Sequence, residues 1–468
     1  MIGHDLKFAA LFLILYYIRP QDWVPGLAGF NIIRPLMIGW FMVLASQGSR
    51  SPVRGWFRTP HDWAVLIFSV FIVWAAPPGV EVLSPVFSLA VFYFLTCHAL
   101  STWDAVLIYL KIWNGCLVTL AAFGVLQTLG FDITAGRSYT DFFMGRLSLG
   151  TWMANNPNAL AHTVVMGIPL SYVLYFWRGS AAGRTIVFPF CAILIGWCAW
   201  MTESKGAFLV GAGITVLIFV VGRPRWIQIA AIATALTLGV GALSFLPRME
   251  QMSNLRSDEG VQGRLMAWTL AKGAMDYNTF GVGWKQFIAI FPWREGTRVV
   301  TVVKATHSSY VQVGADLGIY GLALWLLVLW LAIRSVAIFK GWSDQEERCR
   351  RAIILLLVAY LASGWMINRQ YYSEYFLIAA AAAAVHRLNL SGRNLGWNDA
   401  VGQPESERIL PPNSRKAISW SRETGFTSLS ATVTEKKMWN RVGWIDLLMT
   451  LSLTKLVVYI WDYILINL

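Results

Sequence analysis

Residues 305–321 read ATHSSYVQVGADLGIYG, and this stretch decides how the chain is organised. A lone histidine, His307, closes a long polar segment and is followed by an apolar run that continues to about Phe339. An apolar run of this length predicts a membrane-spanning helix. Gly314, Gly318 and Gly321 recur along it at spacings of four and three. This spacing predicts a smooth face that lets another helix approach closely.

The composition of the whole chain agrees with a membrane protein. Of its 468 residues, 56% are hydrophobic and only 13% are charged, whereas soluble domains carry about 25% charged residues. Apolar runs of near-spanning length recur along the chain without the alternation that is typical of membrane β-barrels. We therefore predict an all-α fold, a polytopic transmembrane helical bundle with about 12 spans.

Basic residues predict the orientation of this bundle. Arg50, Arg54 and Arg58 follow the second predicted span, and such clusters mark cytoplasmic loops. The largest outer segment is then 247–306, where eight Lys or Arg stand against five Asp or Glu. The net charge of +13 is explained mostly by cytoplasmic loops and anionic lipids, with no nucleic-acid partner. The basic excess outside invites a second explanation, an anionic substrate.

The chain divides into three predicted regions. Residues 1–387 form the bundle, including an outer loop at 247–306 that contains short helices. Residues 388–440 are polar and lack periodicity, which predicts a disordered cytoplasmic tail. Residues 441–468 are apolar but carry four charged residues, Arg441, Asp446, Lys455 and Asp462, so an amphipathic, interfacial helix is favoured over a thirteenth span.

His307 is the strongest candidate for chemistry among the six histidines. It lies where the basic outer segment meets an apolar helix, and a neutral imidazole there can accept a proton near neutral pH. A capping or packing role is the alternative. His162, one turn into the predicted sixth span, is expected to be a packed histidine.

Four cations are predicted at the outer ends of helices: Lys205, Arg264 and Arg369, with Arg146 behind them. Guanidinium groups bind phosphate oxygens in a bidentate fashion, whereas lysine offers a point charge. Taken singly, each cation is expected to anchor its helix at the interface. Clustered around one histidine, they would bind a diphosphate. The cysteine spacings are not those of a metal site, and the sequence contains no Asp-x-Asp pair. We therefore predict neither a metal nor a cofactor.

Several of these motifs together resemble the O-antigen ligase and O-antigen polymerase family. In that family a histidine with a small or polar neighbour opens a helix and a Gly-x-x-Gly pattern follows, as in His307–Gly321. The sequence GRLMAW at 263–268, followed by GVGW at 281–284, is similar to the large periplasmic loop of the family. The turn Ser204-Lys205-Gly206 resembles its Ser-Arg-Gly turn with lysine in place of arginine, and residues 145–161 resemble its Asn-Pro-Asn helix start.

The resemblance implies a metal-independent, inverting, GT-C-type glycosyltransferase of lipopolysaccharide biosynthesis in the bacterial inner membrane, with its active site facing the periplasm. The donor would be a glycan on a polyprenyl (undecaprenyl) diphosphate, and the acceptor a hydroxyl of a lipid-linked sugar, with membrane lipids around both. His307 would take the acceptor proton. Arg264 and Lys205 would hold the diphosphate and stabilise its developing charge. Arg369 and Arg146 are added to this diphosphate site by their predicted position.

Two alternatives stay open. A polymerase would use the same donor chemistry with another acceptor, and no readable motif separates it from a ligase. A transporter or flippase of lipid-linked glycans belongs to another class. Transporters are marked by internal repeats and mid-membrane ionisable groups, whereas the charges here gather at the predicted outer ends of helices.

Overall fold

The computed structural model describes residues 4–27, 29–46, 56–134, 136, 139–140, 145–151, 154–220, 224–226, 228–230, 233, 259–295, 298–339, 341, 343–402 and 441–468. The described chain is mostly helical, which confirms the predicted helical fold class. The predicted ninth span, 227–246, and the start of the outer segment, 247–258, lie almost entirely outside the described residues.

Most of the main helices fall on apolar runs of the sequence. In chain order they are α1 His4–Tyr17, α2 Ile33–Ser46, α3 Pro60–Trp74, α4 Leu83–Ala99, α5 Trp103–Thr128, α6 Pro157–Val164, α7 Phe188–Met201, α8 Lys205–Val220, α9 Glu259–Tyr277, α10 Ser309–Ile338, α11 Asp344–Gly364, α12 Ser373–Gly402 and α13 Trp444–Asn467. Two short helical turns, Pro20–Trp23 and Pro25–Leu27, lie between α1 and α2. Helix α6 continues through Gly167–Ser171 and Tyr172–Phe176, and Gly183–Val187 leads into α7.

Five helical stretches among the described residues are long and apolar enough to cross a membrane: Trp103–Thr128, Pro157–Phe176, Gly183–Met201, Ser309–Ile338 and Trp444–Asn467. Four shorter helices (α2, α3, α4 and α8) are also apolar. These helices make the chain a multi-pass membrane protein. The total of about 12 spans stays a prediction.

Helix α10 is the centre of the bundle and packs against α3, α9, α11, α12 and α13. Ser308 caps its first turn, since the Ser308 hydroxyl accepts a hydrogen bond from the Val311 N–H at 3.4 Å. Gly318 interrupts the helix with φ 65°, a left-handed conformation that favours glycine. The loop before it fills the break, because Val282 and Gly283 donate their N–H groups to the carbonyls of Ala315 and Asp316.

The glycines of α10 therefore do two different things. Gly314 is a contact point, as predicted: a methyl group added there would lie 3.0 Å from the Trp461 ring and 3.1 Å from the Met275 sulfur. Gly318 is a kink, where an added methyl group would overlap the Thr279 carbonyl. The prediction of one smooth packing face is wrong at Gly318, because the loop backbone occupies the space beside it.

The outer segment contains a β-hairpin as well as a helix. Strand β3, Ala289–Glu295, pairs antiparallel with β4, Arg298–Lys304, from Ala289↔Lys304 to Glu295↔Arg298. The sequence analysis expects short helices in this segment and does not predict the hairpin. Strand β4 is a run of valine and threonine between two cations, and such β-branched residues favour strands. A smaller ladder joins β1, Tyr139–Thr140, to β2, Leu147–Ser148. The hairpin ends three residues before His307.

Two regions near the C-terminus differ from the sequence expectation. Helix α12 extends to Gly402, so residues 388–402 continue the helix instead of starting the predicted disordered tail; residues 403–440 lie outside the described part. Helix α13 runs antiparallel along α10, with Asp446 against Arg334 at one end and Trp461 against Gly314 at the other. This packing favours the thirteenth span over the predicted interfacial helix. The Arg334 partner offsets the cost of burying the Asp446 charge.

Candidate active site

His307 lies in the short connection between β4 and α10, at the end of the bundle that we call the site end. Its φ of 50° places a non-glycine residue in the left-handed region, a conformation that costs energy and clusters at functional sites. The side chain is half-buried. None of the hydrogen bonds found among the described residues involves its imidazole, so the ring nitrogens are available to a substrate.

The residues on either side of His307 are fixed, which explains how the strained conformation is held. Thr306, Ser308 and Ser309 are fully buried. The Thr306 hydroxyl donates to Gln312 Oε1 at 2.9 Å, and the Thr306 carbonyl accepts from Trp268 Nε1 at 2.7 Å. The Ser309 hydroxyl donates to the Ile367 carbonyl at 2.8 Å. The histidine is thus presented by a rigid loop.

Helix α9 brings Arg264 to this loop. Trp268, which bonds the Thr306 carbonyl, lies one turn after Arg264, so the two side chains share a face of α9. Arg264 is half-buried, and its positive charge acts on His307. Arg264 and His307 are 43 positions apart in the sequence, and the fold brings them close together. The predicted pairing of these two residues requires this proximity.

Lys304 is a site residue that the sequence reasoning did not single out. Its side chain runs over Gly263, where an added methyl group would lie 3.4 Å from the lysine Cε, and its charge also reaches His307. The sequence did contain a signal for this residue. Lys304 belongs to the basic excess of the outer segment and precedes His307 by three residues. Two cations therefore flank the imidazole.

The electrostatic result is a histidine held neutral. Burial lowers the pKa of His307 most, and the charges of Arg264 and Lys304 lower it further, to about 4. At neutral pH the imidazole is therefore unprotonated and able to accept a proton. The positive charges of Arg264 and Lys304 also favour the binding of an anion next to His307.

His162 is a second histidine within reach of the Arg264 charge. It is buried, as expected of a packed histidine, and its Nδ1 is 3.1 Å from the Ser363 hydroxyl. The charges of Arg264 and Arg369 both act on it. A methyl group added to Gly206 would lie 3.3 Å from His162 Nε2, so the start of α8, where Lys205 lies, is adjacent. His162 thus connects the Arg264 side of the site with the Lys205 turn.

Arg146 supports the turn that carries Lys205. Its Nε donates to the Thr202 carbonyl at 2.9 Å, and its Nη2 donates to Asn158 Oδ1 at 2.7 Å. The side chain therefore connects the loop after α5 to both the start of α6 and the turn before α8. Lys205 itself is half-buried. Arg146 thus holds the turn before α8 and the start of α6 together.

Arg369 is placed differently from the other cations. Its side chain is 2% exposed and is ion-paired with Glu374 at 3.0 Å, whose side chain is fully buried. It also donates to the Ala159 carbonyl at 2.6 Å and to the Thr163 hydroxyl. These contacts hold the start of α6 and the loop before α12. Arg369 lies behind the site and uses its guanidinium on protein groups.

Comparison with known proteins gives a family for the central part of the chain. Residues 190–326 match the family model described as O-antigen ligase, and this range contains Lys205, Arg264, Lys304 and His307. No curated protein matches the chain. The match confirms the family that the motifs predicted. Residues 190–326 of this multi-pass membrane protein belong to the O-antigen ligase family.

Proposed function

We propose that the chain is a glycosyltransferase that moves a glycan from a polyprenyl diphosphate to a hydroxyl of a lipid-linked acceptor, on the periplasmic face of the bacterial inner membrane. The observation that carries the proposal is the grouping of a neutral, half-buried His307 with the charges of Arg264 and Lys304. A base next to an anion site is what transfer from a diphosphate to a hydroxyl needs.

The proposed step is a single displacement. The acceptor oxygen forms a bond to the anomeric carbon, and the bond from that carbon to the diphosphate oxygen breaks with its electron pair. The hydroxyl proton passes to the imidazole of His307. The polyprenyl diphosphate leaves with the negative charge, which Arg264, Lys304 and Lys205 stabilise. Attack opposite the leaving group inverts the anomeric centre.

The low pKa of His307 in the absence of donor suggests that the donor diphosphate also adjusts the basicity of the histidine. A base with a pKa of about 4 is a weak acceptor for a hydroxyl proton. Bound diphosphate would offset the charges of Arg264 and Lys304, and the nearby negative charge would raise the pKa of His307. We therefore propose that donor binding itself activates the histidine.

The remaining predicted residues take supporting roles in this proposal. Arg146 holds the turn before Lys205 through the Thr202 carbonyl. Arg369 holds the start of α6 and the loop beside Ser309 through its bond to Ala159 and its own N–H to the Ser309 hydroxyl. We propose that both position the site and do not bind the diphosphate directly.

The direct test uses the full chain in vesicles with an undecaprenyl diphosphate glycan and a glycolipid acceptor, with and without a metal chelator. We expect transfer with inversion in both conditions. Extension of a second lipid diphosphate in place of the glycolipid would indicate a polymerase. Movement of the donor across the vesicle membrane without transfer would contradict the proposal and favour a flippase.

A further inference from the structure

A cavity of about 550 Å³ opens at the site end of the bundle, and neither His307 nor Arg264 lines it. Its walls come from the connection between α1 and α2, from the first turns of α4, and from Trp284, Lys285 and Tyr371. None of these residues has a role in the proposed transfer step. The cavity is therefore a separate feature that needs its own explanation.

The polar part of the cavity is basic. Arg19 and Asp22 also line it, but they pair with each other at 2.6 Å. Arg34 and Lys285 remain, and neither forms an ion pair within the part of the chain that the structure describes. Lys285 lies 4.4 Å from the centre of the Trp284 ring. Two cations in one cavity wall favour an anionic group.

Two buried polar atoms in the same walls also lack a partner. Trp284 is 6% exposed and Gln21 is 7% exposed. Trp284 Nε1 and Gln21 Oε1 make no hydrogen bond with any described residue. Buried polar atoms are costly unless something bonds them. Both atoms lie beneath the cavity surface, so they make its wall polar without themselves contacting a ligand.

The rest of the cavity is apolar and lies between membrane helices. Ile33 and Met37 contribute from α2, Leu89 and Phe92 from α4, and Phe30 from the connection before α2. Phe30 is 67% exposed, so the apolar surface continues out of the cavity. A wall that is basic at one end and apolar at the other matches the chemistry of an anionic lipid.

We propose that this cavity binds a lipid through a phosphate group on its headgroup, with Arg34 and Lys285 as the phosphate ligands. The lipid phosphate has two sources: an anionic phospholipid of the bilayer, or the acceptor glycolipid if that acceptor is phosphorylated. The phospholipid source is independent of the transfer reaction. The acceptor source rests on the proposed function.

A buried hydrogen-bonded path joins the cavity wall to the His307 loop, which makes the acceptor source structurally reasonable. The Phe287 N–H, two residues after Lys285, donates to Asp316 Oδ1 at 2.9 Å. Gln312 Nε2 donates to the same oxygen at 3.1 Å and Gln312 Oε1 accepts from Thr306. Eight helical residues separate Ser308 from Asp316, roughly 12 Å along the axis. If the acceptor is the source, its linked sugars would have to span a distance of about this size to reach His307.

Lipid binding is measured by native mass spectrometry of the full chain, released from detergent with added phosphatidylglycerol or phosphatidylcholine. The double variant Arg34→Gln/Lys285→Gln removes both charges at similar side-chain length. We expect its occupancy by phosphatidylglycerol to fall at least about tenfold, with little change for phosphatidylcholine. The matched control Lys111→Gln/Arg184→Gln removes two exposed cations elsewhere and is expected to bind as the unmodified protein does.

Met37→Trp is a second, independent variant, because it fills the apolar part and keeps both charges. It is expected to lower lipid occupancy too. A rise in the acceptor KM of the double variant at constant donor KM identifies the acceptor as the source; an unchanged acceptor KM with lost occupancy identifies the phospholipid. Unchanged occupancy and unchanged KM in both variants would overturn the proposal. A wild-type chain that transfers no glycan but binds the lipid would refute only the proposed function.

Discussion

The Lys272 ammonium lies 3.0 Å from the Asp462 carboxylate, so the last helix of the chain is ion-paired to the helix that carries Arg264. Beside this pair, Trp461 is fully buried and packs with Trp268, Met275 and Val311. The exposed ion pair contributes little by itself. The packing of Trp461 is the main contact. It places α13 against α9 and the first turn of α10, next to the proposed site.

Trp461→Ala is therefore expected to destabilise the site end of the bundle. Removing a buried tryptophan costs about 3–5 kcal/mol in soluble cores, and packing is the main force between helices in a membrane. We expect a lower thermal midpoint and slower glycan transfer, measured on the same vesicles. Leu456→Ala, at a half-exposed position of the same helix, is the control. Equal midpoints for both variants would show that α13 does not support α9.

The pKa of His307 predicts how transfer depends on pH. In the free protein the imidazole is neutral above about pH 4, so kcat/KM is expected to fall only as the pH drops toward that value. In the donor complex the diphosphate charge raises the pKa, and kcat is expected to fall at a higher pH, nearer the ordinary value of 6.5. The measurement is a pair of pH–rate profiles.

Arg264→Gln is a useful companion to that experiment. Loss of the positive charge raises the pKa of His307 in the free protein, so the acid limb of kcat/KM moves to higher pH. Transfer itself is expected to slow by about 10²–10³. The proposed electrostatic coupling predicts that kcat and kcat/KM fall at different pH values. It would be contradicted if both fell at the same pH and Arg264→Gln did not change that pH.

The sequence predicted the helices well because apolar runs and their ends are local signals. Ser308 caps α10 where the apolar run after His307 begins, and most of the other main helices also fall on apolar runs. The hairpin of β3 and β4 was missed because the valines of β4 occur in adjacent pairs, without the alternation of apolar and polar residues that marks a strand. The kink at Gly318 depends on a loop that packs against it, and no local pattern shows such a contact.

The site was predictable only in part, for a related reason. His307 is identified by its position, and Arg264 by its resemblance to a family motif. The partner of Arg369 is different: Glu374 is five residues away, and its burial results from the packing of α1 and α6 around it. Tyr17 of α1 donates to Glu374 at 2.8 Å. The burial of this ion pair could not be read from the sequence.

The structural role of Arg369 makes its own prediction. Glu374→Gln leaves the Arg369 charge buried without its counter-charge, and breaking a buried pair costs about 3–5 kcal/mol. We expect the thermal midpoint to fall for Glu374→Gln and for Arg369→Gln, whereas the donor KM of the folded fraction stays within about twofold. A donor KM that rises strongly only in Arg369→Gln would instead indicate direct contact with the diphosphate.

Lys205 tests how the site holds the diphosphate. Lys205→Ala removes a charge and is expected to raise the donor KM by about tenfold, which corresponds to about 1.4 kcal/mol. Lys205→Arg restores a guanidinium that can contact two oxygens and is expected to bind the donor at least as tightly as the unmodified chain. Lys111→Ala, at an exposed position on α5, is the control. An unchanged donor KM in Lys205→Ala would remove Lys205 from the site.

The most direct measurement of the central proposal is the rate of glycan transfer by His307→Ala in vesicles, with donor binding measured on the same sample. We expect the rate to fall by about 10²–10⁴, while donor affinity stays within about twofold and the exposed-histidine control His4→Gln remains fully active. Transfer by His307→Ala at the rate of the unmodified chain would contradict the assignment of His307 as the base.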